Sequence, residues 1–380
     1  LRVYLDYGGL APVDPRVLAV MRPFLEGGVG NPAAPHSFGV EARAALDGSR
    51  AKIARLVGAS PAGVIFTASA TEANNLAVRG AAQHAAGGHL VTSAIEHASI
   101  LRSCRDLERH GYRVSYVEAD GEGRVDPGAV GQAIQPDTLL VSVGAANGEL
   151  GTVQAIREIG RLTRRRGVWL HVDGVGAAGR IPLLVDECGI DLLSLSANDM
   201  YGPPGAGALW VRSGVRIAAQ LLGGGQEGGY RAGTENLPAI AGMGVAADLL
   251  RAEGPAEAAR LSALRDRLLL GILDRVAGTR ITGARPGHRL PHHASLIVSG
   301  VRAGGLLREL DARGVAASTG SACTGAPDEL SSVLLAIGCD RRAAEGAICF
   351  SLGRWTTADE IDYVMEVLPP AVERLRRGSP

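Results

Sequence analysis

Short β-branched or apolar runs alternate with longer Ala/Leu/Arg-rich segments of helical period over the first two-thirds of the chain, the pattern of a mostly parallel sheet covered by helices. The runs predict strands near 64–66, 90–92, 113–117, 139–143, 168–172, 192–195 and 208–211, with helices near 71–83, 99–110 and 153–166 between them. That order describes a doubly wound α/β core. After a glycine-rich loop at 223–225, the spacing predicts a helix over 237–252, a break at Gly254 and Pro255, and a long amphipathic helix over 256–276. Beyond it the pattern is mixed, with strands at 294–298, 316–318 and 348–352 and helices at 305–313, 330–337 and from 357 onward. A large α/β domain over 13–255 and a smaller α+β domain built from 1–12 and 256–380 are expected.

Composition narrows the chemistry. The 380 residues carry 39 basic and 39 acidic side chains, so no net charge draws the whole molecule to nucleic acid or an anionic membrane. Of the basic residues one is a lysine, Lys52, in a helical, exposed-looking stretch; the chain has a single candidate for Schiff-base chemistry. No run of about 18 apolar residues and no leader-like N-terminus is present, which points to a cytoplasmic protein. Five scattered cysteines without Cys-x-x-Cys spacing argue against a disulfide framework and against a zinc cage. The Arg164-Arg165-Arg166 run reads as a solvated helix end.

In open α/β sheets ligands gather beyond the carboxyl ends of the strands, and polar residues stand at several of those ends. Ser69-Ala70-Thr71 follows one strand and opens a helix, either as a cap or as an anion cup. Glu96-His97 follows the next, Asn147-Gly148-Glu149 another, and His171-Val172-Asp173 closes a fourth, with His171 and Asp173 on one face by alternation. Ser318 to Gly325 is a loop of small residues around Cys323, a setting for a solvent-reaching thiol, whereas Cys349 sits among apolar neighbours.

Along its whole length the chain resembles the cysteine desulfurases of the class V aminotransferase group. The likeness runs through Val13-Asp14-Pro15-Arg16, Gly30-Asn31-Pro32, His36-Ser37-Phe38-Gly39 and Ala70-Thr71-Glu72-Ala73-Asn74-Asn75, then Arg231-Ala232-Gly233-Thr234-Glu235-Asn236, Ser318 to Thr324 and Ser351-Leu352-Gly353-Arg354-Trp355-Thr356-Thr357. It implies the pyridoxal-phosphate fold type I (aspartate-aminotransferase-like) and a homodimer. It also implies a cofactor phosphate held by Thr71, Ser196 and the neighbouring subunit's equivalent of Thr234. By the same resemblance His97 would stack on the pyridine ring, Asp173 would pair with its nitrogen, Asn147 would lie near its hydroxyl, and Cys323 would carry the sulfur as a persulfide.

The same resemblance exposes departures at the chemistry. Where the family has Ser-x-His-Lys before Tyr-Gly-Pro, this chain reads Ser196-Ala197-Asn198-Asp199-Met200-Tyr201, which puts Asp199 at the Schiff-base lysine position and Asn198 at that of a phosphate-side histidine. Gly176 stands for a glutamine, Gln226-Glu227-Gly228-Gly229 for Gln-Glu-Arg-Gly, Cys349 for the substrate-carboxylate arginine, and Tyr7 to Ala11 for Asn-Ala-Ala-Thr-Thr. A carboxylate forms no imine and shuttles no proton as an amine does. Three readings remain. The preferred one is a non-desulfurating relative that accepts sulfur at Cys323 or acts as a partner protein, as a homodimer or paired with a lysine-bearing paralogue. The second is an enzyme of altered chemistry using Cys323, His97 and Asp199, or using pyridoxal or pyridoxamine phosphate held non-covalently. The third is an ordinary cysteine desulfurase.

Overall fold

The computed structural model describes residues 2–27, 30–85, 87–320 and 330–378. Its strands are β1 (Val3–Tyr4), β2 (Val64–Thr67), β3 (His89–Ser93), β4 (Arg113–Val117), β5 (Thr138–Gly144), β6 (Trp169–Asp173), β7 (Leu192–Ser196), β8 (Gly207–Val211), β9 (Thr279–Ile281), β10 (His293–Val298), β11 (Val315–Ala316) and β12 (Ala347–Ser351). Its α-helices are α1 (Pro15–Glu26), α2 (Ser37–Leu56), α3 (Ala70–Ala85), α4 (Ala98–Arg109), α5 (Pro127–Ala133), α6 (Ile156–Arg166), α7 (Leu237–Arg275), α8 (Ala303–Asp311), α9 (Ser332–Ala336), α10 (Arg341–Ala344) and α11 (Ala358–Gly378).

Seven strands form the central sheet in the order β2-β8-β7-β6-β5-β3-β4. β3 to β7 pair in parallel, and β8 is antiparallel to both β2 and β7. β2 therefore runs in the same sense as β3 to β7, and six carboxyl ends reach one edge. The large-domain strands lie within one residue of the sequence expectation at each end, because most of them are buried apolar runs that only a sheet covered on both faces accommodates. α3 seats Ala73, Leu76, Ala77 and Ala81 on the sheet, small side chains that let the helix lie close.

Several expectations need correction. No break occurs at Gly254 and Pro255: α7 runs unbroken for 39 residues. Proline costs it one main-chain hydrogen bond, but Leu250 is buried in the large core and Leu261, Leu268, Leu269 and Ile272 in a second one, and that burial on both sides of the proline holds the helix together. α6 begins at Ile156 rather than near 153, since Val153 is taken up by a bridge to Ala146. The strand read at 316–318 is β11, with Ser318 bridging separately to Cys349. The helices α1, α5 and α10, most of α2, and the strands β1 and β9 are additions to the sequence reading.

β12, β10 and β9 make a three-stranded antiparallel sheet, and β1 pairs with β11 in parallel. Val3 and Leu5 thereby join Leu296, Phe350, Leu352, Ile361 and Leu368 in the second core.

Candidate functional site

The turn after β2 opens α3 with a reciprocal helix cap. Gly207 on β8 pairs with Thr67 on one side and Ser196 on the other, which brings the ends of β2 and β7 together. A Cβ at Gly207 would stand 2.5 Å from the carbonyl carbon of Ser69, so glycine is what allows this turn to rest on β8. The Thr67 hydroxyl donates to the Ser69 carbonyl (2.9 Å), the Glu72 amide donates to Ser69 Oγ (3.2 Å), and the Ala68 amide donates to Glu72 Oε2 (2.7 Å), a reciprocal cap. Arg231 Nε holds the other Glu72 oxygen at 3.0 Å. The amides of Ala70 and Thr71 remain at the positive end of a 16-residue helix, beside the exposed Thr71 and the partly exposed Ser196.

Asp173, at the end of β6, is buried and accepts from Asn74 Nδ2 (2.8 Å) and from the Val175 amide (3.0 Å). The same Asn74 nitrogen donates to Ser99 Oγ (2.9 Å), and that hydroxyl lies 2.7 Å from His97 Nδ1, which also accepts the Ser99 amide at 3.2 Å. His97 Nδ1 is thus an acceptor in this chain of bonds, so the neutral ring carries its proton on Nε2. The ring itself is exposed. Asn74 Oδ1 is buried without a hydrogen-bond partner. Asn147, buried, is spent on the fold: its Nδ2 donates to the Ile95 carbonyl (2.7 Å) and its Oδ1 accepts the amides of Glu149 and Leu150 (2.9 Å each). His171 is a neutral structural histidine, held between Ser142 (2.8 Å) and Ser194 (2.9 Å), with burial bringing its pKa down to about 3.

Asp199 sits in the short turn Asn198–Met200 after β7. Burial pushes its pKa up to about 6; the Arg180 guanidinium and a hydrogen bond from Ser196 pull it down, and the charge of Asp173 pushes it up. Ser196, three residues before Asp199, stands beside the turn at 69–71 through Gly207. Arg180 lies 5.4 Å over the buried Tyr201 ring, with its Nε buried and unpartnered. Asn198 Oδ1 accepts the Ala11 amide at 3.1 Å and so pins the N-terminal segment. Among the described residues no hydrogen bond joins Asp199 to His97, whose Nδ1 is held by Ser99.

Cys323 lies outside the described residues. Ser318 exchanges main-chain hydrogen bonds with Cys349 (2.7 and 3.0 Å), and Ser331 Oγ donates to the half-buried Glu149 at 2.5 Å. Cys349 is buried 3.2 Å from His293 Nε2, and burial pushes its thiol up to about 12; it is a neutral partner of a neutral histidine, not a nucleophile. Gly176 takes a left-handed φ of 72°. Thr234 is exposed in the segment before α7 and makes no hydrogen bond to Thr71 or Ser196 within the chain. Asn74, Ser99 and Arg180 escaped the sequence reading as individual residues, and their only signal was a place in the Asn74-Asn75 pair, in a helix start and after a strand.

The family model for aminotransferase class V matches residues 3–364. Across 383 residues the chain is 45% identical to a protein named cysteine desulfurase IscS from Anaeromyxobacter sp. (strain Fw109-5), covering 100% of this chain and 94% of that one. It is 41% identical over 379 residues to cysteine desulfurase IscS 1 of Archaeoglobus fulgidus, covering 99% and 98% of the two chains. A solved structure described as a NifS-like protein superposes with a TM-score of 0.91 at 33% identity, covering 99% of this chain and 100% of that one. The chain belongs to the class V aminotransferase family, in its cysteine desulfurase branch. The family uses pyridoxal phosphate, and the donor set here suits such a group at two ends: helix amides, Thr71 and Ser196 for its phosphate, and the buried Asp173 carboxylate for a protonated ring nitrogen.

Proposed function

We propose that this chain is a non-desulfurating member of its family that accepts sulfur at Cys323 from a donor protein. On this reading its scaffold holds a vitamin B6 phosphate, pyridoxal or pyridoxamine, without a covalent link. Asp199 carries the reading. When bound, the pyridine ring supplies an electron sink for chemistry at a substrate's α-carbon, but desulfuration also needs an amine to exchange with the substrate and to move its α-proton. The turn after β7 offers a carboxylate held by Ser196, and the neutral Cys349 thiol is no partner for a substrate carboxylate.

Sulfur acceptance asks less of the fold. The Cys323 thiolate attacks the outer sulfur of a donor persulfide, the donor's own thiolate leaves and takes up the proton released by Cys323, and the chain carries one added sulfur. The donor is a persulfide-forming desulfurase, which a lysine-bearing paralogue would supply. We read the chain as a cytoplasmic homodimer; among the described residues no helix is long and apolar enough to cross a membrane.

The purified chain supplied with cysteine and pyridoxal phosphate is expected to form neither alanine nor sulfide. Incubated with an active desulfurase and cysteine, it is expected to gain the mass of one sulfur atom, and Cys323→Ser is expected to gain none. Alanine release by the chain alone, lost in Cys323→Ser, would restore ordinary desulfuration and end this proposal.

A further inference from the structure

We infer that the site selects pyridoxamine phosphate over pyridoxal phosphate, through an ion pair between the exocyclic ammonium of the amine form and Asp199. The inference rests on the non-covalent reading of the B6 site above and adds which form is held and which residue chooses it.

Three observations combine. Asp173 ends β6 and Asp199 lies in the turn after the neighbouring β7, so two carboxylates stand at one edge of the sheet, with the Arg180 guanidinium, stacked on Tyr201, also acting on Asp199. Two carboxylates at one edge disfavour a further negative charge beside them. Ser196, three residues before Asp199, flanks the anion cup at α3 through their shared neighbour Gly207. A phosphate in the cup thus arrives beside a carboxylate, a repulsion that a neutral aldehyde does nothing to offset and a ligand ammonium does. Asn74 Oδ1, on the residue that holds Asp173, is buried and unpartnered, as expected of a site whose last hydrogen bonds come from a ligand.

Reach supports the same choice. An aspartate side chain ends two bonds short of a lysine nitrogen, roughly 2.5 Å in an extended chain. That gap is close to the length of an ammonium–carboxylate hydrogen bond, about 2.7–2.9 Å. An amine standing where a lysine nitrogen would have stood therefore meets Asp199 at bonding distance. The aldehyde form brings an acceptor to an acceptor.

The test is direct binding to the full chain. Pyridoxamine phosphate and pyridoxal phosphate are titrated separately at neutral pH by calorimetry, with no turnover involved. The amine form is expected to bind about tenfold or more tightly, the scale of one charge-assisted hydrogen bond. Asp199→Asn is expected to bring the ratio toward one by weakening the amine form. Asp199→Lys is expected to invert it, with pyridoxal phosphate now fixed to the chain by borohydride. Melting curves establish that the variants fold. A readout without any variant is pH: Ser196, Arg180 and Asp173 face Asp199, and the preference is expected to narrow as the medium falls below about pH 6 and Asp199 takes up a proton. The ligand phosphates titrate alike and cancel in the ratio. Equal affinities, or a ratio untouched by Asp199→Asn, overturn the inference while leaving a B6 site in place. Binding of neither form overturns the B6 reading and the inference with it.

Discussion

Glu96 shows what the site demands of single residues. It is buried, with Ser93 Oγ donating to it at 2.5 Å. Burial, with Asp173 adding its charge, pushes its pKa up to about 8 from an ordinary 4.5. Between those values the native state keeps a proton that the unfolded chain has lost, so stability falls as pH rises through the window and levels off above 8. The buried His171 and His293, brought down to about 3, act oppositely, contributing stability above pH 6.5 that is lost as pH falls toward 3. The histidine terms are common to any variant at position 96 and cancel in the comparison, leaving a Glu96 slope of about 2 kcal/mol from pH 6.5 to 8. Glu96→Gln is expected to remove it: denaturant midpoints of the variant and parent should diverge across that interval in favour of the variant, and parallel curves would refute the assignment. At this scale the sequence marked Glu96, His97 and Asp173 by their places at strand ends, and Asp199 by the family resemblance. It could not mark Asn74 as the residue that joins Asp173 to Ser99 and His97, because that bond spans 99 positions and nothing local announces it.

Among the elements, β8 does the positioning. As the antiparallel strand between β2 and β7 it sets the spacing of Thr71 and Ser196, and Gly207 is the contact through which it does so. Gly207→Ala would place a methyl group 2.5 Å from backbone that no side-chain rotation can move aside. The turn at 69–71 must shift, and the expected result is a loss of about 1–3 kcal/mol of stability with weaker pyridoxamine phosphate binding. Gly225→Ala, where a Cβ meets nothing within 4 Å, serves as the control in the same melting and titration experiments; equal behaviour of the two would remove β8 from the account. The central strands were readable because buried apolar runs bounded by glycine and polar turns leave few alternatives. α7 was not readable as one helix: Gly254 and Pro255 carry the local signature of a break, and only the two cores flanking them override it.

At the scale of the molecule, the large core takes in Leu290, Ile297, Val333, Leu334 and Ala347 from the C-terminal part of the chain as well as the central sheet, and the next matter is how copies meet. Phe38, Val40 and Leu222 are 60%, 59% and 86% exposed, more apolar side chain than a solvated surface favours. Phe38 and Val40 lie at the start of α2, while Leu222 lies in the segment that leads to Thr234. Arg231 in that segment bonds its own chain's Glu72, yet Thr234, three residues on, has no partner in the cup. If Thr234 completes the cup of a second copy, the phosphate site is shared, and sharing has an arithmetic signature. Thr71→Asp and Thr234→Asp should each abolish pyridoxamine phosphate binding in their homodimers, by setting a carboxylate against the phosphate from either side. A heterodimer of the two variants, isolated through two different tags, holds one doubly damaged site and one intact site. It is expected to bind one ligand per dimer with parental affinity. Were both partners of the cup in the same chain, every site in the heterodimer would carry one lesion and none would bind, so recovery or its absence decides whether the site belongs to one chain or to two.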